Sequence, residues 1–73
     1  MAYNDVLPTR LRMERARTNE TQKQVAERTG ISAPALCTYE QGTRTPTMQT
    51  LRKLAEAYGV SLDYLAGFNA DAE

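Results

Sequence analysis

Apolar residues recur three, four or seven positions apart through most of the chain, which is the spacing of residues on one face of an α-helix. Leu7, Leu11 and Thr18 share such a face near the start of the sequence. A later stripe consists of Leu51, Leu54, Ala55 and Tyr58. No segment alternates apolar and polar residues as a half-buried strand does, so the pattern predicts an all-α protein.

Helix boundaries are also marked in the sequence. Residues that cap helix N-termini precede four predicted helices, namely Thr21, Ser32, Thr47 and Ser61. Residues that tolerate a left-handed backbone follow the helices, namely Asn19, Gly30, Gly42, Gly59 and Gly67. The first helix is predicted from residue 7, which leaves Pro8 in the first turn, where proline is tolerated. The sequence therefore predicts a compact bundle of five helices joined by short turns.

Length and composition narrow the class of protein. A chain of 73 residues forms one domain, and such a domain buries only about 60% of the surface that its unfolded form exposes. One cysteine and no histidine exclude an internal disulfide and the usual zinc spacings. The sequence shows no signal-peptide pattern and no apolar run of the roughly 18 residues that span a membrane, so we expect a cytoplasmic protein. We expect one domain over residues 1–68 and a short, frayed acidic tail over residues 69–73.

The net charge is zero, but the charges are unevenly distributed along the chain. Residues 1–53 hold all nine Lys and Arg against five acids, whereas residues 54–73 hold four acids and no base. A basic face would attract phosphates. An ordinary solvated surface with an acidic tail explains the same distribution, so charge alone leaves both interpretations open.

Two short helices joined by a tight turn at Gly30, the second following the Ser32 cap, have the layout of a helix-turn-helix. Many helical proteins contain such a corner, so the layout alone is a moderate signal. The chain also contains TQ at 21–22, VA at 25–26, GIS at 30–32, YEQG at 39–42, Pro46, LRKLAEAYGVSLDYL at 51–65, and Arg15 seven residues before Gln22. In this order and spacing the pieces resemble the lambda-repressor and Cro-like (XRE-type) family over residues 10–67.

The resemblance implies a lambda-repressor-like DNA-binding fold and a homodimeric, sequence-specific regulator of transcription. Most simply, the resemblance implies a repressor that occupies an inverted-repeat operator in double-stranded DNA. In this family the second helix crosses the phosphate backbone and the third lies in the major groove. We expect no cofactor, metal, small-molecule ligand or membrane partner.

The face of the third helix opposite Leu36, Tyr39 and Glu40 would then meet base edges. By helical spacing that face holds Pro34, Cys37, Thr38 and Gln41, with Ala33 beside it. Residues that match phosphate-contacting positions of the family are Gln22, Lys23, Ser32, Thr43 and Arg44. The alternatives are that Gln22 is a plain first-turn polar residue and that Thr43 and Arg44 belong to a solvated loop.

Ala33 and Pro34 stand where family members often have side chains that form hydrogen bonds. We therefore expect apolar contacts with thymine methyl groups, hydrogen bonds from Thr38 and Gln41, and readout of DNA shape. Cys37 is expected to be a small packing residue on this face. A redox role would need an exposed thiol with a lowered pKa, and no cation is evident near it in sequence.

Arg15 and Glu40 each fall on an inward face among apolar residues, where an unpaired charge is costly. The economical interpretation is that they pair, tying the first helix to the third, as the family's arginine and glutamate at these positions do. The alternative is that each side chain reaches water by itself. Glu20 occupies a position that is usually apolar in the family, and it either weakens a core contact or points outward.

Tyr64, Leu65 and Phe68 are large apolar groups near the C-terminus, with little chain left to cover them. In this family a self-complementary contact near the last helix commonly makes a dimer, so these three residues are candidates for the dimer interface. Burial of Leu65 in the core of its own protomer is the alternative.

Two other classes of function compete with DNA binding. A helical protein-interaction module that has lost DNA binding would explain why the third helix begins with few hydrogen-bonding side chains and why the net charge is zero. An enzyme is not expected, because a chain with no histidine and one cysteine offers no evident acid–base or nucleophilic residues.

Overall fold

The computed structural model describes residues 3–67, with side chains from residue 6 onward. It contains five helices: α1 (Tyr3–Thr18), α2 (Gln22–Thr29), α3 (Ala33–Gln41), α4 (Met48–Tyr58) and α5 (Leu62–Ala66). The predicted all-α bundle of five helices is confirmed. Within the described range, no helix has the length and apolar character needed to cross a bilayer. The tail predicted over residues 69–73 lies outside the described residues.

Local hydrogen bonds fix the ends of the helices. The hydroxyls of Thr21, Ser32, Thr47 and Ser61 each accept from the backbone N–H three residues later. At the start of α2, Gln24 completes a capping box by accepting from the Thr21 N–H at 2.8 Å. Asn19 ends α1 with a left-handed φ of 60°. Because these signals involve only neighbouring residues, the later helix boundaries follow the sequence pattern closely.

Helix α1 is longer than predicted. It begins at Tyr3, so Pro8 lies inside the helix and not in its first turn. Proline has no N–H to donate to the carbonyl of Asn4, and the helix loses one hydrogen bond there. The Pro8 ring packs against the end of α3, where a Cβ added to Gly42 would lie 3.2 Å from the Pro8 Cγ. This packing between distant parts of the chain is absent from the local pattern that predicted a start at residue 7.

The core lies where the five helices meet. The largest side chains with almost no exposed surface are Leu7, Leu11, Val25, Leu36, Leu51, Leu54 and Leu65. They form one cluster with Ile31, Tyr39, Ala55 and Tyr58. Burial raises the pKa of Tyr58 to about 12, so its phenol is neutral at physiological pH. Every helix contributes to this cluster, so the orientation of α2 and α3 depends on the whole bundle.

Four arginines connect α1 and α2 to the C-terminal ends of other helices. Arg10 donates to the Tyr64 carbonyl in α5, and Arg12 donates to the Glu40 carbonyl in α3. Arg17 and Arg28 donate at 2.7 Å to the carbonyls of Tyr58 and Ala57, respectively, at the end of α4. Carbonyls in the last turn of a helix lack intrahelical donors and carry partial negative charge, so guanidinium groups stabilise them.

Two acids complete this polar shell. Glu14 is only 7% exposed and accepts from the Arg17 Nε at 2.6 Å and from the Tyr64 hydroxyl at 3.1 Å. Glu20 accepts from the Arg28 Nη2 at 2.7 Å and from the Thr18 hydroxyl at 2.9 Å. The hydrogen bond from Arg28 lowers the pKa of the Glu20 carboxyl. Glu20 is therefore part of a polar cluster that closes the turn between α1 and α2.

The glycines that follow α4 and α5 provide a test of this packing. Gly67 and Gly59 both have a positive φ, at 86° and 70°. A Cβ at Gly67 would lie 3.1 Å from the Val6 Cβ, whereas a Cβ at Gly59 meets no atom within 4 Å. We expect Gly59→Ala to lower the free energy of unfolding by about 1 kcal/mol through backbone strain, and Gly67→Ala by about 2 kcal/mol through strain plus crowding.

Urea denaturation followed by circular dichroism measures both losses. Equal losses for the two variants would show that Val6 moves aside at negligible cost.

Candidate nucleic-acid interface

Helices α2 and α3 are joined by a turn that Gly30 makes possible. Gly30 adopts a φ of 79° and donates its N–H to the Ala26 carbonyl at 2.8 Å. Ile31 then turns into the core, where it is 8% exposed. Ser32 caps α3, and Pro34 lies in its first turn, where a missing N–H costs no hydrogen bond. The two helices therefore form the corner expected of a helix-turn-helix.

Helix α3 has a buried face and an accessible face. Leu36, Tyr39 and Glu40 are buried. On the accessible face, Pro34 and Gln41 are exposed, and the half-buried residues are Ala33, Cys37 and Thr38. The structure thus brings all five residues predicted to meet base edges onto one accessible surface, which we call the α3 face.

The hydrogen-bonding capacity of the α3 face is smaller than its sequence suggests. The Thr38 hydroxyl donates to the Ala35 carbonyl within α3 at 2.7 Å. A hydroxyl has one proton, so in this conformation Thr38 offers a partner only its methyl group and an acceptor oxygen. Among the described residues Gln41 has no hydrogen-bond partner for its side chain, which makes its amide the main donor of this face.

Residues predicted to contact phosphates border the α3 face. Lys23, Ser32, Thr43 and Arg44 are exposed, and Gln22 is half-buried. The Ser32 oxygen accepts from the Ala35 N–H at 3.2 Å, which leaves its hydroxyl proton available. The Thr43 hydroxyl donates to the Thr38 carbonyl at 3.3 Å and anchors the loop after α3. Along the chain these positions flank α3, from the start of α2 to the loop before α4.

The position of α3 relative to α1 is set by a charged pair. The Arg15 guanidinium donates to both Glu40 oxygens, at 2.8 Å from Nε and 2.9 Å from Nη2, and also to the Glu20 carbonyl at 3.1 Å. The side chains of Arg15 and Glu40 are 26% and 5% exposed. The hydrogen bond to Glu40 raises the pKa of Arg15 above its ordinary value. Gln22 joins the pair by donating from Nε2 to the Glu40 Oε1 at 3.1 Å.

Most of the arginines in the chain form hydrogen bonds inside the protein. Five arginines hydrogen-bond to carboxylates or backbone carbonyls, namely Arg10, Arg12, Arg15, Arg17 and Arg28. Four basic side chains have no such partner among residues 6–67, namely Lys23, Arg44, Arg52 and Lys53. Of these four, Lys23 follows Gln22 at the start of α2 and Arg44 lies in the loop after α3, so two cations without internal partners lie in the segments that flank α3.

The predicted dimer residues have different surroundings. Leu65 is fully buried in the core, so its assignment to an interface is wrong. Tyr64 is half-buried, and the Arg10 guanidinium covers its ring, 4.6 Å from the ring centroid. Phe68 lies outside the described residues. The helical pattern identified Leu65 as apolar but did not show whether its own core or a partner covers it.

An apolar groove between α4 and α5 was missed by the sequence reasoning. Its volume is about 500 Å³, and it is lined by Thr45, Pro46, Met48, Leu51, Leu62, Asp63 and Ala66. Met48 is 65% exposed and is one of two large apolar side chains in the described part of the chain with such exposure. The signal was an apolar residue directly after the Thr47 cap and three positions before Leu51, which helical spacing places at the edge of the buried stripe of α4.

Comparison with known proteins agrees with this geometry. The sequence profile of the family described as "Helix-turn-helix" matches residues 11–65. The chain is 43% identical over 58 residues to the cryptic phage CTXphi transcriptional repressor RstR of Vibrio cholerae, covering 80% of this chain and 52% of that protein. It is 43% identical over 61 residues to the HTH-type transcriptional regulator ImmR of Bacillus subtilis, covering 84% of this chain and 48% of that protein.

The chain spans about half the length of these two relatives. No solved structure matches it at a significant level. The matched region contains α2, α3 and the turn between them, together with Arg15 and Glu40.

Removing one member of the Arg15–Glu40 pair should destabilise the fold more than removing both. Arg15→Met leaves the Glu40 carboxylate buried without its cation, and we expect the free energy of unfolding to fall by about 3 kcal/mol. The partial exposure of Arg15 keeps this loss at the low end for buried pairs. The double variant Arg15→Met/Glu40→Leu replaces the pair with apolar groups and should lose less than Arg15→Met alone.

Urea denaturation of the three variants, with Glu40→Leu as the second single change, provides the measurement. A loss in the double variant equal to the sum of the two single losses would mean that the two charges contribute independently, and the pairing would be refuted.

Proposed function

Because the chain belongs to the XRE-type helix-turn-helix family of DNA-binding transcriptional regulators, we propose that it represses transcription by binding a specific operator in double-stranded DNA. As a member of this family the protein is a DNA-binding regulator and not an enzyme. The observation that carries the proposal is the accessible α3 face, bordered by the predicted phosphate-contacting residues. The relative RstR, which is named a repressor, supports repression over activation.

In the proposed complex α3 lies in the major groove, which is wide enough to admit a helix. Phosphates on either side of the groove are bound by the bordering residues Gln22, Lys23, Ser32, Thr43 and Arg44. The N-terminal ends of α2 and α3 contribute backbone N–H groups and positive helix dipoles to the same contacts. These contacts set the register of the protein on DNA but read no sequence themselves.

Sequence is read by a small set of groups on the α3 face. The amide of Gln41 can make a bidentate contact with adenine, and the Thr38 methyl group can pack against the thymine methyl group. Ala33 and Pro34 add apolar surface but no hydrogen-bonding side chain. The Thr38 hydroxyl donates its proton to the Ala35 carbonyl and so cannot donate to a base. We therefore propose that recognition relies on thymine methyl groups and DNA shape more than on hydrogen bonds to guanine.

A two-fold dimer is the proposed assembly. The apolar groove between α4 and α5 leaves Met48 exposed and lies beside α5, which carries the half-buried Leu62 and Tyr64. A second copy that covers this groove through its own groove would make the same contact twice, as two-fold symmetry requires. Phe68 follows Gly67 directly and remains a proposed contact, whereas Leu65 is excluded by its burial.

A helical protein-interaction module that does not bind DNA is the second candidate. The observations that favour it are the few donors of the α3 face and the involvement of five of the nine basic side chains in internal hydrogen bonds. Under this alternative the same face would bind a protein, and phosphates would have no role.

Selection from a random double-stranded DNA library at near-physiological salt, followed by sequencing, tests the proposed function. We expect an inverted repeat with half-sites about 10 base pairs apart, because a two-fold dimer presents its two α3 helices one DNA turn apart. Thymines should be enriched under α3. Fixed guanines there would refute the thymine proposal, and a folded protein that enriches no sequence would favour the interaction module.

The dependence of affinity on salt should reflect the few available cations. If Lys23 and Arg44 of both protomers each neutralise one phosphate, the logarithm of the association constant should fall with the logarithm of the salt concentration with a slope of about −3.6. Lys23→Ala and Arg44→Ala should each reduce the magnitude of the slope by about 1.8. Lys53→Ala is the control, because Lys53 lies beside Thr29 at the far end of α2. Equal effects of all three variants would contradict the proposed contacts.

A further inference from the structure

A hydrogen bond to a buried carboxylate orients the side chain of Gln22. Its Nε2 donates to the Glu40 Oε1 at 3.1 Å. An ionised carboxylate only accepts hydrogen bonds, so the amide must turn its NH₂ group toward Glu40. One N–H of Gln22 is thereby bound, while its second N–H and its carbonyl oxygen have no partner among the described residues. Gln22 is the first residue of α2, next to the exposed Lys23.

The acceptor of this hydrogen bond is itself held firmly. Both Glu40 oxygens accept from the Arg15 guanidinium, and the Glu40 side chain is 5% exposed. The Glu40 backbone carbonyl accepts from Arg12. Because Gln22 donates to this fixed carboxylate, its side chain loses rotamer freedom when the protein folds, before any ligand binds. Binding a partner through the remaining N–H then costs less entropy than it would for a free side chain.

We propose that Glu40 is a positioning residue for DNA binding, whose carboxylate orients the Gln22 amide so that its remaining N–H donates to a DNA phosphate at the start of α2. The inference rests on the proposed function. An acid near this phosphate would by charge alone repel it, and the Arg15 guanidinium balances that charge. The pair that joins α1 to α3 therefore also prepares one contact with DNA.

The test compares operator affinities of Gln22→Met, Glu40→Gln and the double variant, using the inverted repeat selected with the wild-type chain. Gln22→Met keeps the length of the side chain but removes the amide, and it leaves Arg15 and Glu40 in place. Glu27→Gln is the matched control for charge, because Glu27 is an exposed acid on α2. Affinities are measured at a temperature at which circular dichroism shows every variant to be folded.

We expect Gln22→Met and Glu40→Gln each to weaken binding about tenfold per half-site, the equivalent of one charge-assisted hydrogen bond. Glu40→Gln should weaken binding little further when Gln22 is already methionine. Removal of an acid without a positioning role should instead strengthen binding slightly, as expected for Glu27→Gln. The inference is overturned if Glu40→Gln behaves like Glu27→Gln or if the two losses multiply.

The contact can also be located on the DNA. A series of operators, each with one uncharged methylphosphonate, should reveal a phosphate whose neutralisation weakens the wild-type chain more than it weakens Gln22→Met or Glu40→Gln, in which only the backbone contacts at the start of α2 remain. Sensitivity of Glu40→Gln at that phosphate equal to that of the wild-type chain would overturn the inference. A wild-type chain that binds no operator at all would overturn the proposed function as well, so the two failures are distinguishable.

A measurement on the wild-type chain avoids any change in folding. Solvent-exchange NMR should show that the side-chain amide protons of Gln22 exchange more slowly than those of the exposed Gln41 and Gln49. Equal exchange rates would show that Glu40 does not hold the amide, and the inference would fail.

Discussion

The buried carboxylate of Glu40 is the constraint on which the arrangement of the first three helices depends. Its two oxygens accept hydrogen bonds from Arg15 on α1 and Gln22 on α2, while Glu40 itself belongs to α3. Apolar packing holds the helices together but is not directional, whereas these hydrogen bonds are effective at one geometry only. A carboxylate in this position would be costly without its guanidinium, so the network either forms completely or destabilises the fold.

Helix α1 performs two tasks at once. Its apolar side supplies Leu7 and Leu11 to the core. Its arginines reach the C-terminal ends of α3, α4 and α5, where carbonyl groups lack helical partners. The close contacts of Val6 with Gly67 and of Pro8 with Gly42 show that the same helix also lies directly against two helix ends. Helix α1 packs against α3, whereas α2 packs against α3 and α4, so the accessible face of α3 is the one that α1 and α2 leave open.

The elements that depend on neighbouring residues could be predicted from the sequence, and those that depend on distant residues could not. The Thr21, Ser32, Thr47 and Ser61 caps mark helix starts because their hydrogen bonds span three residues. The opposite faces of α3 followed from helical spacing. Glu14 was missed because its partner Tyr64 lies 50 residues away in sequence. The sequence pattern predicts that the Thr38 hydroxyl donates to a ligand, but in the structure it donates to the Ala35 carbonyl, one turn earlier in the same helix.

The use of arginines as helix caps has a consequence for how such a protein would search a genome. Attraction to DNA of any sequence grows with the number of cations free to displace counterions. Here Arg15, Arg17 and Arg28 are paired with carboxylates, and Arg10 and Arg12 are held at helix-end carbonyls, so fewer cations are free to meet DNA. Non-operator DNA, present in great excess, would therefore retain each molecule only briefly. Even a modest preference per base pair would then suffice to keep the operator occupied at a low copy number of the regulator.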